Sequence, residues 1–219
     1  MQILDVENLK LPEVKVIRYK RFTDNRGYFS EIFRRDDFRN NKHMDFLRGA
    51  EFVQVNEAFS KKGVIRGLHF QFDPYMDKMV RTLEGRMIDF ALDIRKDSGT
   101  FGKILAYDMP YSSGADYGEW IWVPAGFAHG NLFTEDSRVE YFCTGQHNPG
   151  GEVGISPFAG DIDWSLCDSK LKEIFDKVGK GAGASSLISE KDLSGLSLGE
   201  WKSDERSEEF TIKKLGSNE

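Results

Sequence analysis

Two histidines in apolar, strand-like stretches are the residues of this chain best placed to do chemistry. His69 lies inside GVIRGLHFQ (63–71), and His129 lies near the end of GEWIWVPAGFAHG (118–130). A neutral imidazole can take up a proton near pH 7, so the pair could serve acid–base chemistry. For His69, a core histidine whose ring nitrogens are simply hydrogen-bonded is the alternative interpretation of the first stretch taken alone.

Metal binding is the second chemistry that these two histidines suggest. GEWIWVPAGFAHG resembles the second motif of the cupins, with its glycines, proline and histidine at that family's intervals. A metal-binding cupin also carries two histidines one residue apart on the earlier strand, followed by a glutamate. Here that strand reads LHFQ (68–71), so each strand offers one imidazole and the ligand set is incomplete. We therefore predict no metal site, which leaves both histidines available for proton transfer.

The composition is that of an acidic chain long enough to bury one sizeable core. Its 219 residues are 39% hydrophobic and 30% charged, with a formal net charge of −6. Nucleic-acid binding needs a concentrated excess of Lys and Arg, so a polyanionic partner is disfavoured. No apolar run approaches the ~18 residues that span a bilayer, the N-terminal stretch lacks signal-peptide features, and two cysteines make no disulfide framework. These features predict a cytoplasmic protein without nucleic-acid or membrane partners.

Short runs rich in β-branched and aromatic residues must position the two histidines. They recur between residues 52 and 144 at the spacing of a sandwich or barrel. The runs are FVQVNEAF, GVIRGLHFQF, KMVRTL, RMIDFALDIR, GKILAYDM, EWIWVP, HGNLF and RVEYFC. They predict an all-β fold with His69 and His129 on different strands.

The run RMIDFALDIR (86–95) shows the clearest alternation. Ile88, Phe90, Leu92 and Ile94 share one face, and Asp89, Ala91 and Asp93 share the other. We expect the apolar face to pack against a second sheet. Two interpretations of the polar face stay open: a solvated outer face, or the wall of a barrel mouth that binds a polar ligand.

After Trp164 the chain changes character. SKLKEIFDKV (169–178) has one apolar helical face, and GKGAGASS (179–186) follows as a flexible linker. The Gly-rich stretch is not a phosphate loop, because no strand leads into it. The polar tail from about residue 200 is predicted to be an edge appendage or partly disordered. The sequence thus divides into a main domain over 1–164 and a helix, linker and tail over 165–219.

Six motifs together give the chain a specific resemblance. They are FTDNRGYFSE (22–31), FVQVN (52–56), GVIRGLHFQ (63–71), KMVRTLEGRMIDFALDIRKDSGTFGK (78–103), WIWVPAGFAHG (120–130) and NPGGEVGI (148–155). Their order over roughly residues 15–164 resembles the dTDP-4-dehydrorhamnose 3,5-epimerases and related nucleotide-sugar epimerases. The resemblance implies a cofactor-free, cupin-like jelly roll, a homodimer, and a nucleoside-diphosphate 4-keto-6-deoxyhexose as substrate.

The resemblance also implies catalytic roles for four residues. His69 would be the base, Lys78 would lie near the developing oxyanion, and Tyr141 would be the acid. Asp192, in ISEKD (188–192), would pair with the base. Without the resemblance, we would interpret Lys78 as a solvated charge at the rim of the fold and Tyr141 as an aromatic residue of the core.

A second set of residues is implied to hold the substrate. These are Arg26, Phe29, Glu31, Gln54, Asn56, Arg66, His129, Glu152 and Lys191. The first three would come from an N-terminal segment that completes the neighbouring subunit's site. Strict alternation sends Arg66 to the face opposite His69, so we predict a bulge at Gly67 that lets both touch one ligand.

Two departures from the family pattern matter. Glu57 and Ala58 stand where a small polar pair is common, and an insertion after Trp164 delays the segment that carries Asp192, so Asp161 and Asp163 are alternatives for its role. The sequence leaves open whether one carbon or two are inverted, and on which nucleotide sugar. A mono-epimerase, a non-catalytic sugar-binding cupin and a metal-dependent cupin are the alternative functions.

Overall fold

The strand-forming runs fold into two packed antiparallel sheets in a computed structural model that describes residues 1–182 and 187–215. The strands are β1 (Ile3–Asn8), β2 (Lys15–Lys20), β3 (Phe22–Asp24), β4 (Gly27–Phe29), β5 (Gln54–Ser60), β6 (Ile65–Gln71), β7 (Lys78–Glu84), β8 (Arg86–Asp93), β9 (Ile104–Pro110), β10 (Tyr117–Val123), β11 (Phe127–Phe133), β12 (Ser137–Cys143) and β13 (Glu152–Gly154). The helices are α1 (Arg35–Asn40), α2 (Ser169–Ala182), α3 (Glu190–Leu193), α4 (Leu198–Ser203) and α5 (Ile212–Leu215), with 3₁₀ turns at Lys42–Leu47, Pro149–Gly151 and Glu205–Glu209.

The two main sheets have the order β1-β2-β10-β7-β12-β5 and β13-β6-β11-β8-β9 in the described part of the chain. All eight predicted strands are present, and the predicted all-β, cupin-like jelly roll is confirmed. The sequence analysis did not identify β1 to β4 or α1. Strand β2 pairs with β10 and so extends the first sheet, while α1 and the following 3₁₀ turn cover that sheet's outer face.

Strand β8 is buried on both faces, which corrects one expectation. Ile88, Phe90, Leu92 and Ile94 do not face the second sheet; they point outward, into a core shared with the C-terminal helices. Asp89, Ala91 and Asp93 face the space between the sheets and are fully buried. The polar face of the strand is therefore an inner wall, and the solvated-face interpretation is wrong.

The C-terminal tail is part of the core, so its predicted position as a polar appendage is wrong for the described residues. Trp201 and Phe210 are completely buried, and their rings lie 4.7 and 5.2 Å from the ring of Phe70 in β6. The indole Nε1 of Trp201 donates to the carbonyl of Ile94 at 3.0 Å. A few large apolar residues are enough to hold this otherwise polar tail against the sheet, because each buried side chain contributes about 1.5–3 kcal/mol.

Helix α2 is longer than the sequence predicts. It runs from Ser169 to Ala182, so the first half of the expected linker is helical, and residues 183–186 lie outside the described part. Gly179 lacks a side chain where the Phe158 ring packs, since a Cβ there would lie 2.6 Å from Phe158 Cε1. Tight packing, and not flexibility, explains this glycine.

The hairpin of β3 and β4 forms a separate two-stranded sheet whose strand residues are all exposed. Its turn contains Gly27 at φ +131°, in the region that favours glycine. None of the helices in the described residues is long and apolar enough to cross a membrane.

Candidate active site

A cavity of about 690 Å³ lies between the two main sheets. Its size is within the range of small-molecule sites. One wall comes from β5, β7 and β12, and the other from β6, β11 and β13, with α3 closing one side. Among the lining residues are Gln54, Asn56, Arg66, His69, Lys78, His129, Tyr141, Cys143, His147, Glu152, Lys191 and Asp192.

A bulge in β6 turns His69 and Arg66 toward the same cavity. His69 is paired with His129 and Arg66 with Asn131, so three steps along β6 match two along β11. Gly67 has φ +106°, and a Cβ there would lie 2.6 Å from the His129 carbonyl oxygen. Only glycine fits this position, and the predicted bulge is confirmed.

His69 forms a close pair with Asp192. The distance from His69 Nε2 to Asp192 Oδ1 is 2.6 Å, and the Asp192 side chain is only 6% exposed. Ser189 caps α3 by accepting from the Asp192 N–H, which fixes the carboxylate at the start of the helix. Burial alone would raise the pKa of Asp192, but the hydrogen bonds to His69 and Ser189 outweigh it and hold that pKa below its ordinary value.

The alternatives for the Asp192 role lie elsewhere. Asp161 accepts from the backbone N–H groups of Leu198 and Gly199 at the start of α4. Asp163 accepts from the backbone of Ser165. Neither lines the cavity.

Glu152 lies on the other side of the His69 ring. Its Oε1 is 4.0 Å from His69 Nδ1, and its Oε2 is 3.8 Å from Nε2 of His147. Lys191 forms an ion pair with the same carboxylate. Burial would raise the pKa of Glu152, yet the hydrogen bond from Lys191 and the charges around it lower that pKa. The base candidate thus sits between two ionised carboxylates.

Lys78 and Tyr141 face the cavity from the sheet opposite His69. Lys78 begins β7, and the preceding residue, Asp77, fixes the start of the strand by accepting from Ala125 N at 2.7 Å and Thr144 Oγ1 at 2.9 Å. Burial lowers the pKa of Lys78 below its ordinary value, and nearby acidic groups offset this only in part. Burial also raises the pKa of Tyr141, so its phenol stays protonated in the neutral range.

His129 belongs to a second histidine–carboxylate pair. Its Nε2 lies 2.7 Å from Asp89 Oδ2, and the Asn131 amide donates to the same oxygen at 2.8 Å. The other oxygen, Asp89 Oδ1, is buried without a hydrogen-bond partner within the described residues. A polar inner wall was one of the two open interpretations of this face of β8, but the sequence alone did not pair these residues.

Three predicted binding residues lie outside this cavity. Arg26 is 85% exposed at the β3–β4 turn and pairs with Asp24. Phe29 is 70% exposed, and Glu31 pairs with Arg34. In a single chain they make no contact with the site.

His147 and Gln71 are cavity residues that the sequence analysis missed. The backbone N–H of His147 donates to Gln54 at 2.8 Å, and the Gln71 amide donates to two loop carbonyls while its oxygen accepts from Asn148 N. The only sequence signal for a site role of His147 is that it is one of four histidines. Within 1–182 and 187–215 no three His, Cys, Asp or Glu side chains are grouped to hold a metal ion.

Known proteins resemble this chain in sequence over most of its length. A family model described as dTDP-4-dehydrorhamnose 3,5-epimerase matches residues 8–200. The dTDP-4-dehydrorhamnose 3,5-epimerase of Sinorhizobium fredii is 39% identical over 164 residues, covering 72% of this chain and 79% of that protein. The one from Neisseria gonorrhoeae is 37% identical over 81% of this chain, which spans about half (52%) of that relative's length.

A solved structure extends the likeness to three dimensions. The dTDP-6-deoxy-D-glucose-3,5-epimerase of Legionella pneumophila, in complex with dTDP-4-keto-L-rhamnose, superposes with a TM-score of 0.70 at 30% sequence identity. The match covers 89% of this chain and 93% of that one. Sequence and fold comparisons therefore converge on one group of proteins.

Proposed function

This chain belongs to the dTDP-4-dehydrorhamnose 3,5-epimerase family, and we propose that it inverts C3 and C5 of dTDP-4-keto-6-deoxyglucose. As a member of that family it is an isomerase. One observation carries the proposal: His69, backed by a buried carboxylate, faces Tyr141 and Lys78 across a cavity of nucleotide-sugar size.

The chemistry follows from the ketone at C4. Hydrogens on C3 and C5 are acidic because loss of either gives an enolate stabilised on the C4 oxygen. Asp192 accepts from His69 Nε2–H, which leaves the Nδ1 lone pair to take the carbon-bound proton. The C–H bond breaks, an N–H bond forms, and the electron pair moves to the oxygen.

The opposite wall completes the inversion. The Lys78 ammonium stabilises the enolate oxygen, and Tyr141 donates its phenolic proton to the carbon from the face opposite His69. A new C–H bond forms while the phenol O–H breaks, and solvent resets both groups. The raised pKa of Tyr141 supports this role, since an acid must hold its proton until the enolate forms.

Substrate binding is proposed to involve a second copy of the chain. Gln54, Asn56, Arg66, His129, Glu152 and Lys191 would contact the sugar and diphosphate within one subunit. Arg26, Phe29 and Glu31 would enter the neighbour's cavity in a homodimer. Exposed apolar side chains support such an interface: Phe22 and Phe29 on the hairpin, Val53 just before β5, and Val55 and Phe59 within β5.

The division of the chain is proposed on the same basis. Residues 1–164 would form the epimerase domain, and 165–219 would complete the site through Lys191 and Asp192. A cofactor-free, metal-free reaction and a cytoplasmic location stay predictions. Exhaustive chelation that leaves activity unchanged would support the metal-free reaction.

The test is hydrogen exchange in heavy water. The protein is incubated with dTDP-4-keto-6-deoxyglucose, and NMR locates deuterium in the sugar. We expect deuterium and inversion at both C3 and C5, and neither in His69→Asn. Exchange at one carbon alone would indicate a mono-epimerase, and binding without exchange would indicate a sugar-binding protein. In Tyr141→Phe, substrate hydrogen should still wash out while little inverted product forms.

A further inference from the structure

The β3–β4 hairpin is anchored to the body of the subunit by a buried arginine that contacts two tyrosine rings. Arg21 directly precedes β3, and its side chain is only 7% exposed. The guanidinium carbon lies 4.4 Å from the Tyr28 ring centroid and 5.4 Å from that of Tyr111. The two phenol oxygens are 3.1 Å apart. We name Arg21, Tyr28 and Tyr111 the arginine clamp.

The clamp joins the hairpin to a loop that is itself fixed. Tyr111 follows β9, and its N–H donates to the Gly85 carbonyl at 2.8 Å. The guanidinium donates to Ser112 O at 2.5 Å, and the Arg21 N–H donates to Asp116 O at 2.9 Å. In the described ranges no carboxylate lies within 4 Å of this guanidinium, so the charge lies against two tyrosine rings and the Ser112 carbonyl.

An isolated hairpin of two three-residue strands has little stability of its own. All six of its strand residues are exposed, so its own side chains provide almost no buried contact. The Tyr28 ring, on β4, connects it to the clamp. At the turn, Asp24 accepts from both the backbone and the guanidinium of Arg26. The clamp therefore sets where the hairpin points, and with it the positions of Arg26 and Phe29.

We propose that Arg21, Tyr28 and Tyr111 are positioning residues for epimerisation, which aim Arg26 and Phe29 at the cavity of a second copy of this chain. The inference rests on the proposed function, in which the hairpin completes the neighbouring site. A hairpin ordered before the nucleotide sugar arrives loses less conformational freedom on binding, so the clamp acts on affinity.

The kinetic signature is a split between KM and kcat. Tyr111→Ala removes one ring and one hydrogen bond of the clamp, and we expect KM to rise about tenfold while kcat stays within about twofold. Tyr111→Phe keeps the ring and should restore most of the affinity. Tyr117→Ala, at an exposed tyrosine of β10 that makes none of the clamp's contacts, is the matched control and should leave both constants unchanged.

Subunit mixing separates positioning from general damage. His69→Asn carries an inactive site but an intact hairpin, whereas Tyr111→Ala carries an intact site and a loosened hairpin. Differently tagged chains are co-expressed and the mixed dimer is isolated. Its one active site receives the intact hairpin, so KM should return to the wild-type value. The same pairing with Phe29→Ala tests whether the hairpin acts across subunits at all.

The mixed dimers separate the role of the clamp from the role of the hairpin in the neighbouring site. If Phe29→Ala is restored in the mixed dimer but Tyr111→Ala has a wild-type KM from the start, the clamp is overturned and the shared site stands. If neither variant is restored, the hairpin does not act in the neighbour's site and the clamp inference fails with it. A lower kcat in Tyr111→Ala that the mixed dimer does not correct would show damage to its own site, again contradicting the clamp. Circular dichroism and dimer mass establish that each variant is folded.

Discussion

The two ring nitrogens of His69 have different neighbours. Nε2 is engaged by Asp192 at 2.6 Å, whereas Nδ1 has Glu152 only at 4.0 Å and remains free for a ligand. One carboxylate therefore fixes the ring and its tautomer, and the other adds negative potential without occupying the reactive nitrogen.

Asp192→Asn tests the first of these contacts. Without the carboxylate, His69 loses its fixed tautomer and ring orientation, so kcat/KM should fall about 100-fold. Steady-state kinetics at neutral pH provide the measurement. Asp163→Asn, at an exposed carboxylate outside the cavity, is the control and should retain wild-type rates. Equal rates in the two variants would remove Asp192 from the proton-transfer machinery.

The same substitution has a pH signature in stability. The folded-state pKa of Asp192 lies below the ordinary 3.8, so its contribution is complete above pH 3.8 and is lost as pH falls through the lowered value. The free energy of unfolding of wild type should therefore exceed that of Asp192→Asn at pH 6, and the difference should shrink below pH 3.8. Urea titrations across this range measure it.

Lys78 should show the opposite relation between stability and activity. Burial holds its pKa below the ordinary 10.5, so the unfolded chain binds this proton more tightly and the charge destabilises the fold at pH 7. Lys78→Met should raise the unfolding midpoint in urea while abolishing epimerisation. The stability gain should diminish as pH rises toward 10.5, and a less stable variant at pH 7 would contradict the assignment.

The bulge in strand β6 brings two predicted site residues to one cavity. A regular strand would send Arg66 and His69 to opposite faces, and the extra residue brings both to the cavity. The bulge requires a positive φ at Gly67, a conformation that favours glycine, and it brings this residue against the backbone of His129 and Gly130 in β11.

Gly67→Ala measures that constraint. The new Cβ would lie 2.6 Å from a carbonyl oxygen at a φ of +106°, so we expect a loss of more than about 2 kcal/mol in unfolding free energy and of most activity. Gly160→Ala, with no atom within 4 Å of the new methyl, is the control. If both variants unfold at the same urea concentration, β6 tolerates a regular strand here.

The sequence predicts the central strands better than it predicts which of their faces are inner or which distant residues meet. Runs rich in β-branched and aromatic residues identified all eight central strands, because these residue types pack well on a pleated, buried surface. Alternation within RMIDFALDIR separated the two faces of β8. It could not say which face of β8 was inner, since Ile88 and Asp89 are both buried and the covering helices come from residues more than 60 positions later. The approach of Asp192 to His69, 123 residues apart, came from resemblance and not from any local pattern.

The buried apolar side chains form three clusters: one between the two main sheets, one under the C-terminal helices, and one under α1. The C-terminal helices pack on the outer face of the five-stranded sheet, and Trp201 touches the Phe70 ring next to His69 in the chain. Stability of the outer layer and geometry of the site are therefore linked through β6.

Trp201→Ala tests that link. Removing a fully buried indole and its hydrogen bond to Ile94 should cost about 3–5 kcal/mol of unfolding free energy. Because the cavity left behind lies against Phe70, kcat/KM should fall as well. Ile212→Ala, at a residue that is 46% exposed in α5, should change neither quantity. Lost stability with unchanged kinetics would show that the outer layer only supports the fold.

The 123 residues that separate His69 from Asp192 have a consequence for how the protein is made. Synthesis proceeds from the N-terminus, so His69 on β6 emerges from the ribosome before Asp192 does. Until α2 and α4 dock, the nascent chain exposes the apolar outer face of the five-stranded sheet. A chain that stops between β6 and α3 would therefore lack the carboxylate beside His69 and would be prone to aggregate.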